Sequence, residues 1–340
     1  MPADDQTPPA IYTETADTGE IPYVDVHAPD SSPVDASNEY VSPETAPPLP
    51  PPPPSAVRTG IAPIWHTVIL IAGILGFSVW GGIRAAAGTE PIAALKGSRL
   101  GHYALSGVFE LLLVGWVALG LRLRKVPFRS IFGALPRGLN NIVMELGIAA
   151  AFWLCSMFVL ASFGLTWNLV QTQIYKHQLV IHDQQQAKSE AQQKAGQTPE
   201  PVSPKPKSPQ QQQTEMAHQL MGFAPSNGIE IAGWGLLCLI VGFSEELVFR
   251  GYLQWQGSLL FRNVILGAIL SSLVFGGAHA YEGLRGMCLI GIYGGLFATI
   301  TLIRRNLFPG IVAHSWHDFL TGMLLALLRQ THMLDKLPAS

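Results

Sequence analysis

Three short motifs in the second half of the sequence place ionisable side chains inside otherwise apolar stretches. The first motif carries Glu245, Glu246 and Arg250. Helical periodicity puts Glu246 and Arg250 one turn apart on one face, where they can form an ion pair. Glu245 points about 100° away from that face and lacks the arginine. The pattern therefore makes Glu245 the candidate for a general base.

The second and third motifs each pair a histidine with a residue four positions away along the chain. Phe275 precedes His279, and His314 precedes Asp318. An aspartate one turn from a histidine can accept a hydrogen bond from one ring nitrogen and thereby fix the tautomer of His314. Peptide hydrolysis needs an activated water, a proton acceptor and donors at the developing oxyanion. A glutamate and two histidines from three helices can supply these groups.

Simpler interpretations of the three motifs remain open. The first motif also fits a structural ion pair with a spare glutamate. His279 could be a residue at the membrane interface, and the third motif could be a polar cluster at the start of a helix. Glu245, His279 and His314 would also make a plausible zinc ligand set, although the sequence has no His-Glu-x-x-His motif. Among the other acids in apolar runs, Glu110 is interpreted as a hydrogen bonder between helices, and Glu145 lies near a basic loop.

Seven apolar runs would carry and position these motifs. Most are long enough to cross the roughly 30 Å hydrocarbon layer as helices. A helix forms its backbone hydrogen bonds internally, as the interior of a bilayer requires. Glycines inside the runs permit close contact between helices. The runs are Ile61–Ile83, Tyr103–Leu121, Ile142–Trp167, Ile229–Leu253, Val264–Ala280, Leu284–Ile303 and Phe308–Leu328. Val264–Ala280 is the shortest of them.

The composition excludes most other classes of protein. Charged residues make up 13% of the 340 residues and apolar residues 48%, which is too little charge to coat a water-soluble globule of this size. A soluble enzyme, a secreted disulfide scaffold and a wholly disordered chain are all disfavoured, and no nucleic-acid motif competes with the membrane interpretation. The sequence predicts an all-α, polytopic transmembrane bundle of about seven helices.

Two polar segments interrupt this bundle. Residues 1–60 hold 14 prolines, ten acids and one base, a composition that predicts a disordered tail or, as an alternative, a Pro-rich docking site for a partner. Residues 168–227 hold 14 glutamines and are predicted to be a polar linker whose first part forms an amphipathic helix. Helices 1–3 then fall in 61–167 and helices 4–7 in 228–330, with a short tail at 331–340.

The distribution of lysine and arginine predicts the orientation of the bundle. Even-numbered loops carry the larger share of basic residues, and such loops stay on the cytoplasmic side. The N-terminus is therefore expected in the cytoplasm and the 168–227 segment outside. The basic residues of the richest loop are Arg122, Arg124, Lys125, Arg129 and Arg137.

The order of the three motifs resembles the CPBP family, the CAAX prenyl endopeptidase and bacteriocin-processing group of intramembrane proteases. The resemblance covers about Ile229 to Leu328, and the first motif with the following Gly251 is its most telling part. It implies that Glu245 activates a water assisted by His279, and that Glu246 and Arg250 form a supporting pair. His314 and residue 318 would line the oxyanion site.

One residue departs from the family pattern, which often has asparagine at the last position where this chain has Asp318. An ionised aspartate cannot donate to an oxyanion, so orienting His314 is the more physical role for it. We expect an intramembrane endopeptidase of a bacterial inner membrane that needs no cofactor and cuts a membrane-embedded or lipid-associated peptide. The alternatives are a non-catalytic protein of the same fold that acts in peptide-toxin immunity or as a scaffold, a proton or ion carrier, and a zinc-dependent membrane hydrolase.

Overall fold

A computed structural model describes residues 60–86 and 98–331 of the chain. The predicted tail at 1–60, apart from Gly60, and the C-terminal tail beyond Thr331 lie outside the described residues. All the long elements of the described part are helices, as the sequence predicts.

Six of these helices are long and apolar enough to cross a membrane, and a shorter apolar helix of 14 residues accompanies them. The predicted polytopic helical bundle is thereby confirmed, and the protein is an integral membrane protein. In chain order the α-helices are α1 Ile64–Ala86, α2 Arg99–Leu123, α3 Leu139–Lys194, α4 Pro209–Met221, α5 Gly228–Glu245, α6 Trp255–Phe261, α7 Val264–Gly277, α8 Gly283–Arg304 and α9 Phe308–Thr331.

The fourth membrane span is longer than its apolar run predicts, and this length sets the depth of the site. α5 and α6 are joined without interruption by a π-helix, Glu246–Gln254, so that one helical span runs from Gly228 to Phe261. Glu245 lies 16 positions before the end of this span, and His279 lies 15 positions after the start of the antiparallel α7. Because a short turn joins the two helices, both side chains reach a similar depth in the bundle.

The third span also differs from the prediction. α3 continues from Leu139 to Lys194, far beyond the predicted end at Trp167, and α4 forms a further helix within the predicted linker. Glutamine, alanine, lysine and glutamate all favour helix, so a helix that starts in the membrane propagates readily through this polar sequence. It ends at Lys194, two residues before Gly196, whose φ of +73° is the left-handed conformation common just after a helix C-terminus.

The π-helix lies at the centre of the hydrophobic core. Leu247, Val248, Tyr252 and Leu253 have no exposed surface, and they pack with apolar residues of α1, α2 and α7. The outward faces of the helices are apolar and exposed instead, as expected for surfaces that contact lipid.

α2 and α5 run parallel to each other in close contact. Tyr103 stacks edge-on against Trp234 with ring centroids 5.4 Å apart. One turn further along α2, Gly107 faces the side chains of Leu237 and Ile240. Successive turns of α2 therefore contact successive turns of α5.

Glycines bring α5 against α9, and the sequence identified only some of the glycines that matter. A Cβ atom at Gly242 would lie 2.9 Å from the backbone nitrogen of Ser315 and 3.2 Å from the carbonyl oxygen of Ile311. Gly294 allows a similarly close approach to Phe275. Gly73 and Gly76, in contrast, have no described atom of another residue near the position of a Cβ. The prediction that these two permit helix contact was wrong, because they lie on the exposed face of α1.

We expect Gly242→Ala to lower the free energy of unfolding by about 1–3 kcal/mol, because overpacking forces α9 away from α5. Thermal unfolding in detergent measures this loss. Gly76→Ala is the matched control, since it adds the same methyl group in open space and improves helix propensity. Equal melting temperatures for the two variants would contradict the packing argument.

Candidate active site

The helical span that carries the first motif changes from α-helix to π-helix within the motif. α5 ends at Glu245, and Glu246 begins the π-helix. π-turns of this kind often occur at functional sites because the wider turn re-aims the side chains around it. Here Glu245 and Glu246 both reach the same imidazole, that of His314 on α9, although adjacent side chains of a regular α-helix diverge.

His314 lies between three carboxyl groups. Its Nδ1 is 3.0 Å from Oε1 of Glu246, and its Nε2 is 3.3 Å from Oε2 of Glu245. Oδ2 of Asp318 is 3.7 Å from the same Nε2, which is beyond hydrogen-bond distance. The sequence predicts that Asp318 orients His314, but the structure gives that hydrogen bond to Glu246, because Glu246 faces α9 directly from the neighbouring helix.

The ion pair expected between Glu246 and Arg250 is present and has no exposed side-chain surface. Arg250 Nη1 is 3.0 Å from Glu246 Oε1, and Nη2 donates to the backbone carbonyl of Gly294 on α8 at 3.3 Å. The guanidinium also lies over the ring of Phe275, 4.2 Å from the centroid, which adds a cation–π interaction. One arginine thereby connects the π-helix to α7 and α8.

His279 follows the C-terminal end of α7, where helix carbonyls lack their usual donors. Its Nδ1 is 2.9 Å from the carbonyl oxygen of Phe275. Because a carbonyl only accepts, Nδ1 must carry the hydrogen, and in the neutral ring Nε2 then holds the lone pair. His279 also interacts electrostatically with His314 and Asp318, so all three belong to one site.

Sequence reasoning missed one member of this cluster. Glu110, on α2, interacts electrostatically with Glu245, His314 and Asp318. The available signal was an acidic residue in an apolar run, but the sequence does not show which helix α2 packs against. Glu145 is the other acid noted in an apolar run. It forms an ion pair with Arg304, whose Nη2 donates to its Oε1 at 2.7 Å.

The zinc alternative requires Glu245, His279 and His314 to converge on one point. Within residues 60–86 and 98–331, no group of three or more His, Cys, Asp or Glu side chains is arranged to hold a metal ion. Nδ1 of His279 is occupied by a backbone carbonyl, and Nδ1 of His314 by Glu246. These two bonds leave Nε2 of both histidines available, so it is the spacing of the described donors that departs from a zinc site.

The fold and the site together define a polytopic helical membrane protein with a buried acid–imidazole centre. Residues 227–320 match the family model described as type II CAAX prenyl endopeptidase Rce1-like. This match confirms the resemblance predicted from the three motifs and supports membership of the CPBP family for that segment. No curated protein and no solved structure matches the chain.

We expect Glu246→Gln to lower the free energy of unfolding by about 3–5 kcal/mol, because it leaves Arg250 buried without a counter-charge. Unfolding in mixed micelles measures this loss. Glu215→Gln is the matched control, since Glu215 pairs with Lys207 at the exposed surface, where an ion pair contributes about 1 kcal/mol at most. Losses of similar size in both variants would show that the buried pair does not stabilise the protein.

Proposed function

We propose that the protein is an intramembrane endopeptidase that hydrolyses a membrane-associated peptide with a water activated by Glu245. The observation that carries this proposal is the placement of Glu245 and Glu246 at the two nitrogens of His314. Glu246 already shares its charge with Arg250, whereas Glu245 has no arginine within ion-pair distance among the described residues. Glu245 is therefore the carboxylate that is available to accept a proton from water.

The reaction would proceed through a tetrahedral intermediate. The oxygen of a water molecule attacks the scissile carbonyl carbon while Glu245 takes one proton from that water. The carbonyl π electrons move to the oxygen, which becomes an oxyanion. When the intermediate collapses, the C–N bond breaks and the proton held by Glu245 passes to the leaving nitrogen. Such a transfer needs the base within hydrogen-bond reach of the water.

The two histidines would serve different steps. His279 presents the lone pair of Nε2, so it can accept a hydrogen bond from the attacking water or hold a proton in transit. Once protonated, His314 can donate from Nε2–H to the oxyanion while Glu246 holds its Nδ1. Asp318 is close enough to stabilise that imidazolium through its charge. Asp318 as a carboxylate cannot itself donate to the oxyanion.

We also propose that this chemistry is independent of a metal. The support is the spacing of the donors, since no three His, Cys, Asp or Glu side chains of the described residues are arranged to hold a metal ion. Direct activation of water by a carboxylate needs no metal ion, provided that the oxyanion has other donors.

The proposed substrate is a peptide or protein embedded in or attached to the bilayer, and the proposed location is a bacterial inner membrane with the N-terminus in the cytoplasm. The backbone nitrogen of Leu307 donates to the carbonyl of Phe132 at 3.0 Å, which joins the loop after α8 to the loop after α2. Both loops are basic and lie at one end of the bundle. Positive loops favour the cytoplasmic side, and α3 would project from the opposite side.

We expect Glu245→Gln to abolish cleavage without unfolding the protein, because the amide keeps the size of the carboxyl group and removes its basicity. A proteomic comparison of membranes that contain the wild-type or the variant protein measures the effect and identifies substrates. Peptides that persist only with the variant are the candidates.

Glu215→Gln is the control for this comparison, because it makes the same chemical change on an exposed helix far along the chain from the site. It should leave the wild-type pattern unchanged. Wild-type cleavage by the Glu245→Gln protein would overturn the mechanism, and identical proteomes for all three would favour a non-catalytic role.

A chelator tests independence of metal. Purified protein treated with 1,10-phenanthroline should cleave a substrate peptide from that comparison at the untreated rate, and elemental analysis should find no stoichiometric zinc. Loss of activity that returns on addition of zinc would contradict the metal-free proposal and favour the zinc hydrolase.

A further inference from the structure

Glu110 is a partly buried acid that the proposed reaction does not use. It lies on α2, outside the 227–320 segment that matches the family. Its Oε2 is buried and has no hydrogen-bond partner among the described residues. A polar atom without a partner in a membrane interior is costly and marks a candidate functional group.

The packing of α2 brings Glu110 to within about one turn of the level of Glu245. Tyr103 meets Trp234, and Gly107 meets Leu237 and Ile240. Further along, Trp116 stacks on His66, whose Nδ1 is 2.9 Å from the hydroxyl of Tyr252 in the π-helix. Equal steps from Gly107 along the two parallel helices place residue 110 opposite residues 240–243, about one turn before Glu245. Glu110 lies three positions after Gly107 and so shares the face that contacts α5.

The groups that face Glu110 come from two neighbouring elements. Glu245 at the end of α5 and both His314 and Asp318 on α9 interact with it electrostatically. α1 also packs on α2, but its His66 is occupied by Tyr252 and by the carbonyl of Trp116. The carboxyl group of Glu110 therefore belongs to the same electrostatic cluster as the proposed base.

The charges of this cluster do not balance if every carboxyl group is ionised. Five acids face three groups that can be positive, and two of those three are histidines. The acids are Glu110, Glu245, Glu246, Glu282 and Asp318, and the bases are Arg250, His279 and His314. His279 must also keep its Nε2 lone pair if it is to accept a proton. At least one carboxyl group of the cluster therefore holds a proton, since an uncompensated buried charge is too costly.

We propose that Glu110 is a further carboxyl group of the site and that it keeps its proton beside Glu245, which leaves Glu245 as the ionised base. No arginine or histidine lies within ion-pair distance of Glu110 in the described structure, so it gains little from ionisation. Its O–H is then a donor on the side of Glu245. This is a positioning role, exerted through Glu245, and it rests on the proposed function.

Infrared spectroscopy of the full-length protein in lipid nanodiscs tests the protonation directly and needs no substrate. At neutral pH we expect the wild-type protein to show a protonated-carboxyl C=O stretch that is lost in Glu110→Gln. Glu145→Gln should leave that band unchanged, because Glu145 is paired with Arg304. A protonated-carboxyl band of undiminished intensity in Glu110→Gln would overturn the proposal, whether or not the protein is a protease.

Cleavage assays test the role that follows from it. With a substrate peptide identified through Glu245→Gln, Glu110→Leu should lower kcat about tenfold or more with little change in KM. Glu110→Gln should retain most activity, because its amide N–H replaces the O–H donor, and should alter the pH profile of kcat. Equal loss in both variants, or none in Glu110→Leu, would contradict positioning through a donated hydrogen bond. Full activity of Glu245→Gln would instead refute the proposed base and leave the infrared result standing.

Discussion

The arrangement of the site depends on one buried carboxylate. Glu246 has no exposed surface, and its Oε1 lies 3.0 Å both from Nη1 of Arg250 and from Nδ1 of His314. An ionised carboxylate in the core of a membrane protein needs compensating charge, so these contacts restrict how α9 can pack against the π-helix. Arg250 extends the restriction to α8 through the carbonyl of Gly294. The carboxylate of Glu246 therefore fixes the relative positions of helices that are far apart in the sequence.

The π-helix is what allows two adjacent glutamates to act on one ring. Its backbone departs from the regular hydrogen-bond pattern, and side-chain hydrogen bonds connect it to the neighbouring helices. Ser271 Oγ on α7 donates to the carbonyl of Phe249 at 2.7 Å, and Gln254 Nε2 donates to the carbonyl of Ala298 at 3.2 Å. These bonds join α7 and α8 to the irregular segment. The side chains that support the unusual winding therefore also fix the positions of the helices that complete the site.

The sequence predicts local features of this molecule better than distant ones. The ion pair between Glu246 and Arg250 follows from helical spacing, and each apolar run corresponds to a helix, although the third and fourth helices extend beyond their runs. The bond from Glu246 to His314 could not be derived, because it depends on how helices separated by 68 positions pack. The sequence indicated Glu110 as a hydrogen bonder between helices, but its place beside Glu245 could not be derived for the same reason. The long helix to Lys194 was missed because polarity was interpreted as linker, although the residues concerned are good helix formers.

The exposure of the carboxyl side chains in the cluster indicates from which side water reaches the site. The side chain of Glu246 is 0% exposed, that of Glu245 13% and that of Asp318 25%. Contact of a carboxylate with lipid is unfavourable, so the exposed part of Asp318 must face water or a polar substrate. Water would then reach Glu245 from the side of Asp318, while the pair of Glu246 and Arg250 stays dry. An aspartate at this position can accept hydrogen bonds from entering water, which suits a path for water better than a donor site for the oxyanion.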